Sequence, residues 1–459
     1  MKKLTSIFLS LPLLISTLSN AAEIEISFNG SGTVKAIEAN TECNENCTII
    51  NDLATNTLQA VATSGQFSGW SGQQCDAGSG VMLDTAIETL GFIPSGAKTL
   101  VSADINQDNS EDLAYISLFD GQVGFFVNEG NGNFDRRTLA VNLNYPAALA
   151  FYDWDNDNDA DLLVTEYGAN NIKLYSNNGQ GDFTFTKDMR VSGYRPYAIS
   201  VNDINQDNIP DLALSSFTAN TGGNLSVLVE SINNAETAWF INNGQDEFEL
   251  ATTVSNTAAI TIDTYIDSQT NLVELVAAEI ETGDIALYAY DIDAAQVKRS
   301  LVGNGSSVYG AAFEDIDNNG TIDVLTSHYQ PKNIQLSYRK ADGSFDAPTI
   351  IGGFAQGTTA TAFLDIDNNG YKDLLTGEFN NNKFLYVKTL GYRDCLVKSD
   401  SKIAITANFE QQSSSSTPNN SNTSQSSKSE SGGGGSTSFI SLLIALTIVV
   451  IRKVKLKYR

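Results

Sequence analysis

The chain has 459 residues and a formal net charge of −27, from 54 Asp and Glu against 27 Lys and Arg. Phosphate recognition needs a basic face, so this acidic excess argues against nucleic acid as a partner and favours the uptake of cations. The 36 glycines and 8 prolines, together with many Asn and Asp, indicate short strands joined by turns, and the single histidine limits general-base and transition-metal chemistry.

Residues 1–22 have the features of a secretory signal peptide. Two lysines precede an apolar run at residues 7–18, and small residues follow, so cleavage is expected after Ala21 or Ala22. An uncleaved signal anchor is the alternative, which the shortness of the apolar run disfavours. The sequence therefore predicts an exported protein.

Residues 23–79 do not follow the repeat that occupies the middle of the chain. They contain a Gly-Ser-Gly-Thr-Val stretch at 30–34 and a Phe-Ser-Gly-Trp-Ser-Gly stretch at 67–72, together with three of the four cysteines. We interpret them as the first part of a small β module.

One acidic pattern recurs between residues 80 and 391. It has Asp at the first position, Asp or Asn at the third and fifth, and Asp at the ninth, followed by an apolar residue. The copies lie about 50 residues apart and start at Asp104, Asp153, Asp203, Asp315 and Asp365. A damaged copy is predicted to start at Asp263, with Tyr265 at the third position and Asn271 at the ninth.

Four short apolar or alternating runs accompany each copy, and their Asn, Asp and Gly boundaries indicate strands. Four strands in about fifty residues are typical of one propeller blade. The predicted fold class is therefore all-β, with a six-bladed β-propeller at residues 80–391. The last unit has only three strands of its own, so a strand within residues 81–90 is expected to complete it and hide the edges. A seven-bladed ring is the alternative, because the segment 220–262 is ambiguous.

The acidic loops predict calcium sites. Alternating side chains in a tight loop converge, so positions 1, 3, 5 and 9 supply side-chain oxygens and position 7 a carbonyl, a donor set that suits Ca²⁺. The twelfth position lacks the Glu of a helical EF-hand, and Asp-capped turns without metal are the alternative. The damaged copy at Asp263 is expected to bind weakly or not at all. The predicted ligands are Asp104, Asn106, Asp108 and Asp112; Asp153, Asp155, Asp157 and Asp161; Asp203, Asn205, Asp207 and Asp211; Asp315, Asp317, Asn319 and Asp323; and Asp365, Asp367, Asn369 and Asp373.

This pattern resembles the FG-GAP (VCBS) repeat of integrin α-subunit propellers and of many bacterial surface proteins. The resemblance covers roughly residues 81–391 and implies a calcium-stabilised propeller used chiefly for recognition, with the family's loop ligands at the positions just given. Glycine occupies the sixth loop position only at Gly320 and Gly370, and Asn109, Asn158 and Asn208 replace it elsewhere. Asparagine tolerates left-handed geometry, so the turn is expected to persist.

Residues 392–410 include Cys395 and end in Thr-Ala-Asn-Phe at 406–409. Joined to residues 23–79, they resemble a bacterial B-repeat-like β module of the divergent internalin type. The resemblance implies that the propeller is inserted between Cys75 and Cys395.

The four cysteines are expected to be oxidised, because an even number in an exported chain favours disulfides. The predicted pairs are Cys43–Cys47 and Cys75–Cys395, the second at the base of the inserted propeller. Free or metal-binding thiols are the alternative.

The C-terminal region predicts sorting to the cell surface. Residues 411–435 form a Ser/Asn/Gly-rich linker, and 436–459 contain an apolar segment followed by a basic tail, as in a transmembrane segment. Together these parts resemble the GlyGly-CTERM signal of Gram-negative bacteria. The resemblance implies a sorting protease and secretion machinery as partners, and a protein at the cell surface or released from it. A permanent membrane anchor is the alternative.

The repeats, the accessory module and the tail favour a secreted or cell-surface binding module, expected to be monomeric, for a protein or glycan ligand. No nucleophile elbow, phosphate loop or paired-histidine motif is present, so no catalytic residue is assigned. The alternative is a secreted polysaccharide lyase or hydrolase on a propeller scaffold, since carboxylates, Glu166 and Glu378 among them, are plentiful. His328 is expected to be an ordinary blade residue.

Overall fold

The computed structural model describes residues 22–410, except for 52–54, 63–65, 73–79, 131, 218–234, 246, 268–271, 281, 292–293, 295, 306, 341, 393 and 399–401. The predicted signal peptide, linker and sorting segment thus lie outside the described residues, apart from Ala22. Two compact units are present in the described part of the chain: residues 22–82, 317–319 and 391–410 in the first, and residues 83–316 and 320–390 in the second. A helix of sufficient length and apolarity to cross a membrane does not occur among the residues described.

The first unit contains two four-stranded sheets built from both ends of the chain. Its strands are β1 (Ala22–Asn29), β2 (Gly32–Ala36), β3 (Thr41–Cys43), β4 (Cys47–Asn51), β5 (Thr55–Ala62) and β6 (Gln66–Gly72), with the late strands β33 (Asp394–Lys398) and β34 (Lys402–Glu410). The strand orders are β4-β1-β34-β6 and β3-β2-β5-β33. Strand β34 runs parallel to β1 and antiparallel to β6, and β33 pairs with β5, so the late segment completes both sheets.

Two short strands lie where the chain passes between the units. Strand β7 (Val81–Leu83) pairs with β32 (Thr389–Tyr392) in a two-stranded sheet. The next strand, β8 (Glu88–Phe92), pairs with β31 (Lys383–Val387) and closes the last blade. The closing strand was expected within residues 81–90; the structure divides that segment and gives only its second half, extended to Phe92, to the blade.

The second unit consists of antiparallel four-stranded sheets, six of them in the described residues. The blades are β9 (Ala97–Ala103), β10 (Asp112–Ser117), β11 (Gln122–Asn128) and β12 (Phe134–Ala140); β13 (Pro146–Tyr152), β14 (Asp161–Glu166), β15 (Asn171–Ser176) and β16 (Thr184–Met189); β17 (Pro196–Asn202), β18 (Asp211–Phe217), β19 (Ala235–Asn242) and β20 (Phe248–Ser255); β21 (Ala259–Asp267), β22 (Leu272–Glu279), β23 (Asp284–Asp291) and β24 (Gln296–Asn304); β25 (Val308–Glu314), β26 (Asp323–His328), β27 (Asn333–Ser337) and β28 (Thr349–Ile351); and β29 (Thr358–Leu364), β30 (Asp373–Glu378) and β31 with β8. A 3-10 turn, Phe379–Asn381, follows β30. The six-bladed prediction is confirmed, and the seven-bladed alternative is not needed.

Burial falls from the inner strands of a blade to its outer strand. All six residues of β10 are buried, whereas most of the outer strand β12 is exposed. Apolar side chains pack between neighbouring blades, and one cluster joins Leu113 and Tyr115 of the first blade to Leu364 and Phe384 of the last. Because this cluster buries the junction between first and last blades, the ring is closed by apolar burial as well as by strand pairing.

The fourth blade lacks the acidic loop. In the second and sixth blades the last residue of the inner strand pairs with the ninth loop position, as in Tyr152 with Asp161 and Leu364 with Asp373. The corresponding pair in the fourth blade is Asp267 with Leu272, which leaves only residues 268–271 between the strands. Asp263 lies inside β21, opposite Val276. The prediction that Asp263 starts a damaged loop is therefore wrong, and Asn271 lies outside the described residues.

Candidate metal-binding loops

The first Asp of each loop binds the backbone of its own turn. In the second blade, Asp153 accepts hydrogen bonds from the backbone N–H groups of Asp157 (3.0 Å) and Asn158 (3.0 Å), one on each carboxylate oxygen. In the third, Asp203 accepts the N–H groups of Asp207 (3.0 Å) and Asn208 (2.8 Å). Asp104 and Asp365 make the same pair of bonds with their own loops. These contacts curl the loop around the first carboxylate.

Two residues in each acidic loop adopt a left-handed conformation. At the sixth position φ is +68° for Asn109, +72° for Asn158, +64° for Asn208, +86° for Gly320 and +88° for Gly370, so the expectation that asparagine preserves this turn is confirmed. The fourth position is also left-handed, at Gln107, Asn156, Gln206, Asn318 and Asn368. Sequence reasoning missed this second position, although Gln or Asn stands there in every copy. Left-handed geometry is costly for residues other than glycine, so the turn hydrogen bonds must offset it.

The ninth-position Asp connects the loop to the third strand of the blade or to the residues just after that strand. Asp112 accepts the backbone N–H of Ile105 (3.2 Å) on one oxygen and that of Asn128 (2.7 Å) on the other. The same two bonds recur at Asp161, Asp211 and Asp373, and all four side chains are buried. We call this pair of hydrogen bonds to the ninth-position carboxylate the clasp. It was not predicted from the sequence, because at Asp112 its second partner lies 16 residues further along the chain.

Carboxylates converge within single loops of the second unit. Oxygens of the following groups lie within 4.8 Å of one another: Asp153, Asp155 and Asp157; and Asp365, Asp367 and Asp373. The ninth-position Asp thus joins the cluster in the Asp365 loop and stands apart from it in the Asp153 loop.

At some of the predicted ligand positions an asparagine amide stands in place of an aspartate carboxylate. In the first and third blades the Asn106 and Asn205 amides donate to the fifth-position carboxylates of Asp108 (3.0 Å) and Asp207 (2.9 Å). These loops also contain Asp104, Asp112, Asp203 and Asp211, as described above. Asn369 donates its amide N–H to Thr389 O (3.1 Å), and Asn319 is exposed.

Burial and mutual repulsion oppose ionisation of these acids. Burial, followed by the charges of Asp157 and Asp161, raises the pKa of Asp159 to about 6. Burial and the charges of Asp157 and Asp153 also raise the pKa of Asp155. Burial is the main cause of the raised pKa at Asp112 and Asp211, each to about 6, and at Asp373, to about 7. A cation placed among them would relieve both effects.

The donors present fit Ca²⁺. They are all oxygens, as a hard cation requires, with no nitrogen or sulfur ligand that would favour Zn²⁺. One oxygen of Asp159 and one of Asp367 are buried without a hydrogen-bond partner, which is costly unless another group binds them. Asp159 stands at the seventh position, for which the sequence predicted only a carbonyl ligand, so its carboxylate is a candidate ligand that sequence reasoning missed.

The acids considered for catalysis serve the blades instead. Glu166 accepts the backbone N–H of Asn144 (2.7 Å) and pairs with Lys173 (3.2 Å). Glu378, only 1% exposed, accepts the N–H of Ala355 (2.6 Å) and pairs with Lys383 (3.3 Å).

The single histidine is a satisfied core residue. His328 is buried, its Nε2 hydrogen-bonds the Thr326 hydroxyl (2.9 Å), and burial lowers its pKa to about 4. It is therefore neutral at physiological pH and holds the end of its strand.

Two described cysteines form a bond within the first unit. Cys43 and Cys47 are joined by a disulfide with a Cα–Cα distance of 6.2 Å, between β3 and β4. Cys395 is fully buried and also disulfide-bonded, while its predicted partner Cys75 lies outside the described residues.

A profile of the FG-GAP-like repeat matches residues 104–164, 153–214 and 315–376. Each match begins at the first Asp of one loop and ends in the strand that follows the next loop. Three such repeats on a six-bladed ring support an FG-GAP β-propeller.

No curated protein matches the chain. A solved structure described as that of a candidate gluconolactonase is similar to it, at 9% identity, covering 68% of this chain and 94% of that one, with a TM-score of 0.45. A similarity this low carries no conclusion about chemistry.

Proposed function

We propose that the chain is a calcium-binding β-propeller, displayed at the cell surface or secreted, that acts as a binding module for a protein or glycan. The observation that carries the proposal is the convergence of three carboxylates within 4.8 Å in each of two loops of the second unit, those that begin at Asp153 and Asp365. The buried oxygens of Asp159 and Asp367 that lack a partner support it.

In the second blade Asp153, Asp155 and Asp157 would hold the ion, with Asp159 as a further oxygen donor. The bound ion supplies positive charge that neutralises the cluster. The chain's own residues do the rest: Asp153 orders the turn and Asp161 connects it to the third strand. Because each loop joins the first and second strands of its blade, calcium would rigidify the same end of every blade that carries a complete loop.

Export is part of the proposal. The N-terminal signal, the Gly-rich tail and the B-repeat-like motifs of the first unit favour a monomeric surface or secreted protein of a Gram-negative bacterium, handled by a sorting protease and secretion machinery. The polysaccharide-active enzyme receives no support from the site, since Glu166 and Glu378 are both engaged in structural contacts.

The test is calcium content and thermal unfolding of the full chain, with Ca²⁺ and with EGTA. We expect bound calcium and a melting temperature that falls on chelation. Asp155→Asn combined with Asp157→Asn should remove one calcium and part of the stabilisation. Asp182→Asn is the matched control, because Asp182 is an exposed acid outside the cluster.

Equal melting temperatures with and without calcium, and no bound ion, would refute the calcium proposal. The recognition role is tested separately on an array of glycans and surface proteins in Ca²⁺. Binding without turnover is the expected result, and turnover that one substitution abolishes in a folded protein would favour the enzyme.

A further inference from the structure

We propose that the central cavity of the propeller binds the uronic-acid unit of an acidic saccharide, with the sugar ring against a group of tyrosines and the carboxylate at Arg195 and Lys98. This inference rests on the proposed binding function and names its ligand class. We call the group Tyr145, Tyr167, Tyr197, Tyr309 and Tyr329 the tyrosine cluster; all five line a cavity of 780 Å³ in the second unit.

The tyrosine cluster lies at the strand ends opposite the acidic loops. Tyr197 is the second residue of β17, whose far end leads into the Asp203 loop. Ring centroids are 6.0 Å apart for Tyr145 and Tyr167, 5.6 Å for Tyr167 and Tyr197, and 5.4 Å for Tyr309 and Tyr329. All five side chains are half-buried, so the cavity keeps part of each in contact with solvent.

Two cations accompany these rings. The Arg195 guanidinium lies 4.5 Å from the centroid of Tyr167, and its Nε donates to Tyr167 O (2.8 Å). The Lys98 ammonium lies 4.6 Å from the centroid of Tyr197 and donates to Ala147 O. Within the described ranges neither cation forms an ion pair with a carboxylate, although the chain has twice as many acids as bases.

Burial without a counter-ion makes this end of the cavity favourable for an anion. Burial lowers the pKa of Lys98 to about 7, which is the direction expected for a buried ammonium without a counter-ion. An anionic ligand would supply the missing charge for both cations, and a carboxylate matches the planar fork of Arg195.

The cavity has the opposite charge towards the acidic-loop end. Asp263 and Glu314 both line it. Asp263, which lies outside the acidic loops, accepts hydrogen bonds from the backbone N–H groups of Thr264 and Phe313 (both 2.9 Å). These acids would repel a ligand carboxylate and so orient it towards Arg195 and Lys98.

The combination suits a uronic acid better than a neutral sugar. Tyrosines offer apolar faces to the C–H face of a sugar and hydroxyl groups to its oxygens. A cavity of 780 Å³ is in the usual range for small-ligand sites. A neutral sugar would occupy the cavity without pairing either cation, which leaves the electrostatic part of the affinity unused.

The test is isothermal titration calorimetry of the calcium-loaded full chain with cellobiouronic acid, and with cellobiose as the neutral counterpart. Cellobiouronic acid should bind at least about tenfold more tightly than cellobiose, the factor expected for one charge-assisted hydrogen bond. Arg195→Gln and Lys98→Met should each weaken its binding about tenfold. Arg137→Gln and Lys340→Met, which remove exposed cations outside the cavity, should leave it unchanged.

Calcium-dependent melting serves as the folding control for each variant. If either cation variant fails to fold, Tyr309→Leu tests the same cavity from another blade, with loss of binding expected. Failure of cellobiouronic acid to bind, equal binding of cellobiose, or equal effects of the control variants would overturn the inference. The proposed function would stand in those cases as long as calcium still raises the melting temperature, and it would fall separately if calcium did not.

Discussion

Glu378 offers the sharpest test of whether the buried acids are structural or catalytic. Its carboxylate accepts the N–H groups of Ala355 (2.6 Å) and Gln356 (3.1 Å), accepts the Asn381 amide (2.7 Å), and pairs with Lys383 (3.3 Å). These partners hold its pKa below the ordinary value although burial alone would raise it. The charged form therefore stabilises the fold.

Glu378→Gln keeps one acceptor oxygen and turns an NH₂ group towards donors. At least one charge-assisted hydrogen bond is lost, worth about 1.5–3 kcal/mol, and Lys383 loses its partner. The substitution also removes the desolvation cost of a buried charge, which offsets part of this loss. We therefore expect a net loss of about 2 kcal/mol in the free energy of unfolding. For a unit of this size the melting temperature should fall by roughly 4 °C.

The assay is thermal unfolding in calcium at pH 7, with Glu129→Gln as the control because Glu129 is exposed. The control should change stability by less than about 0.5 kcal/mol. Since the pKa of Glu378 is lowered on folding, its contribution is present above the unfolded value near 4.5 and is lost as pH falls through the lower folded value. A variant as stable as the parent, yet defective in turnover of a polysaccharide, would refute the structural role.

Three further predictions follow from other contacts. Burial raises the pKa of Asp159 to about 6 and of Asp373 to about 7, so ionisation of these carboxyls opposes folding above the unfolded pKa near 3.8. In EGTA the melting temperature should therefore rise as the pH is lowered from about 7.5 to 5. A fall in the melting temperature over that range would contradict the raised pKa values. Arg339→Gln leaves the buried Glu274 without its bidentate partner and should cost about 3 kcal/mol in urea unfolding, whereas a neutral change would disprove the ion pair's role. Gly121→Ala should cost about 2–4 kcal/mol, since its Cβ would lie 2.2 Å from Leu143 O at a φ of +56°, and wild-type stability would show that this turn relaxes freely.

Local pattern was sufficient to predict the blades and their loops. Each acidic loop carries its own turn hydrogen bonds within six residues, so spacing alone locates it, and the blade count follows from the repeat. The clasp from Asp161 to the N–H of Asn177 depends on strand pairing that no local pattern encodes. The burial of the Asp159 carboxylate beside Asp157 depends likewise on the fold and has no signal in the local pattern.

The fourth blade illustrates a different failure. Asp263 fits the first position of the pattern by chance, although Tyr265 departs from it at the third, because an acid within an inner strand imitates the start of a loop. Strand register decides the matter: Asp263 pairs with Val276, deep within the sheet. Because Asp263 lies in this inner strand and not in a loop, it lines the central cavity, together with Thr359 and Ala148 of other blades. Neither composition nor residue spacing distinguishes an acid that lines the cavity from an acid that begins a metal-binding loop.

The loops reach their curled form through their own hydrogen bonds, which changes what calcium has to do. Asp153 already binds the N–H groups of Asp157 and Asn158, and left-handed residues already set the turn. Little conformational entropy then remains to be lost on binding, so most of the ion's effect should be electrostatic, relieving the crowded carboxylates. The fourth blade has only residues 268–271 in place of that loop and so has no such cluster of charge to neutralise. Calcium dependence should therefore be greatest where carboxylates are most crowded, at the Asp153 loop, and smaller in the Asp104 and Asp203 loops, where an asparagine amide replaces one of them.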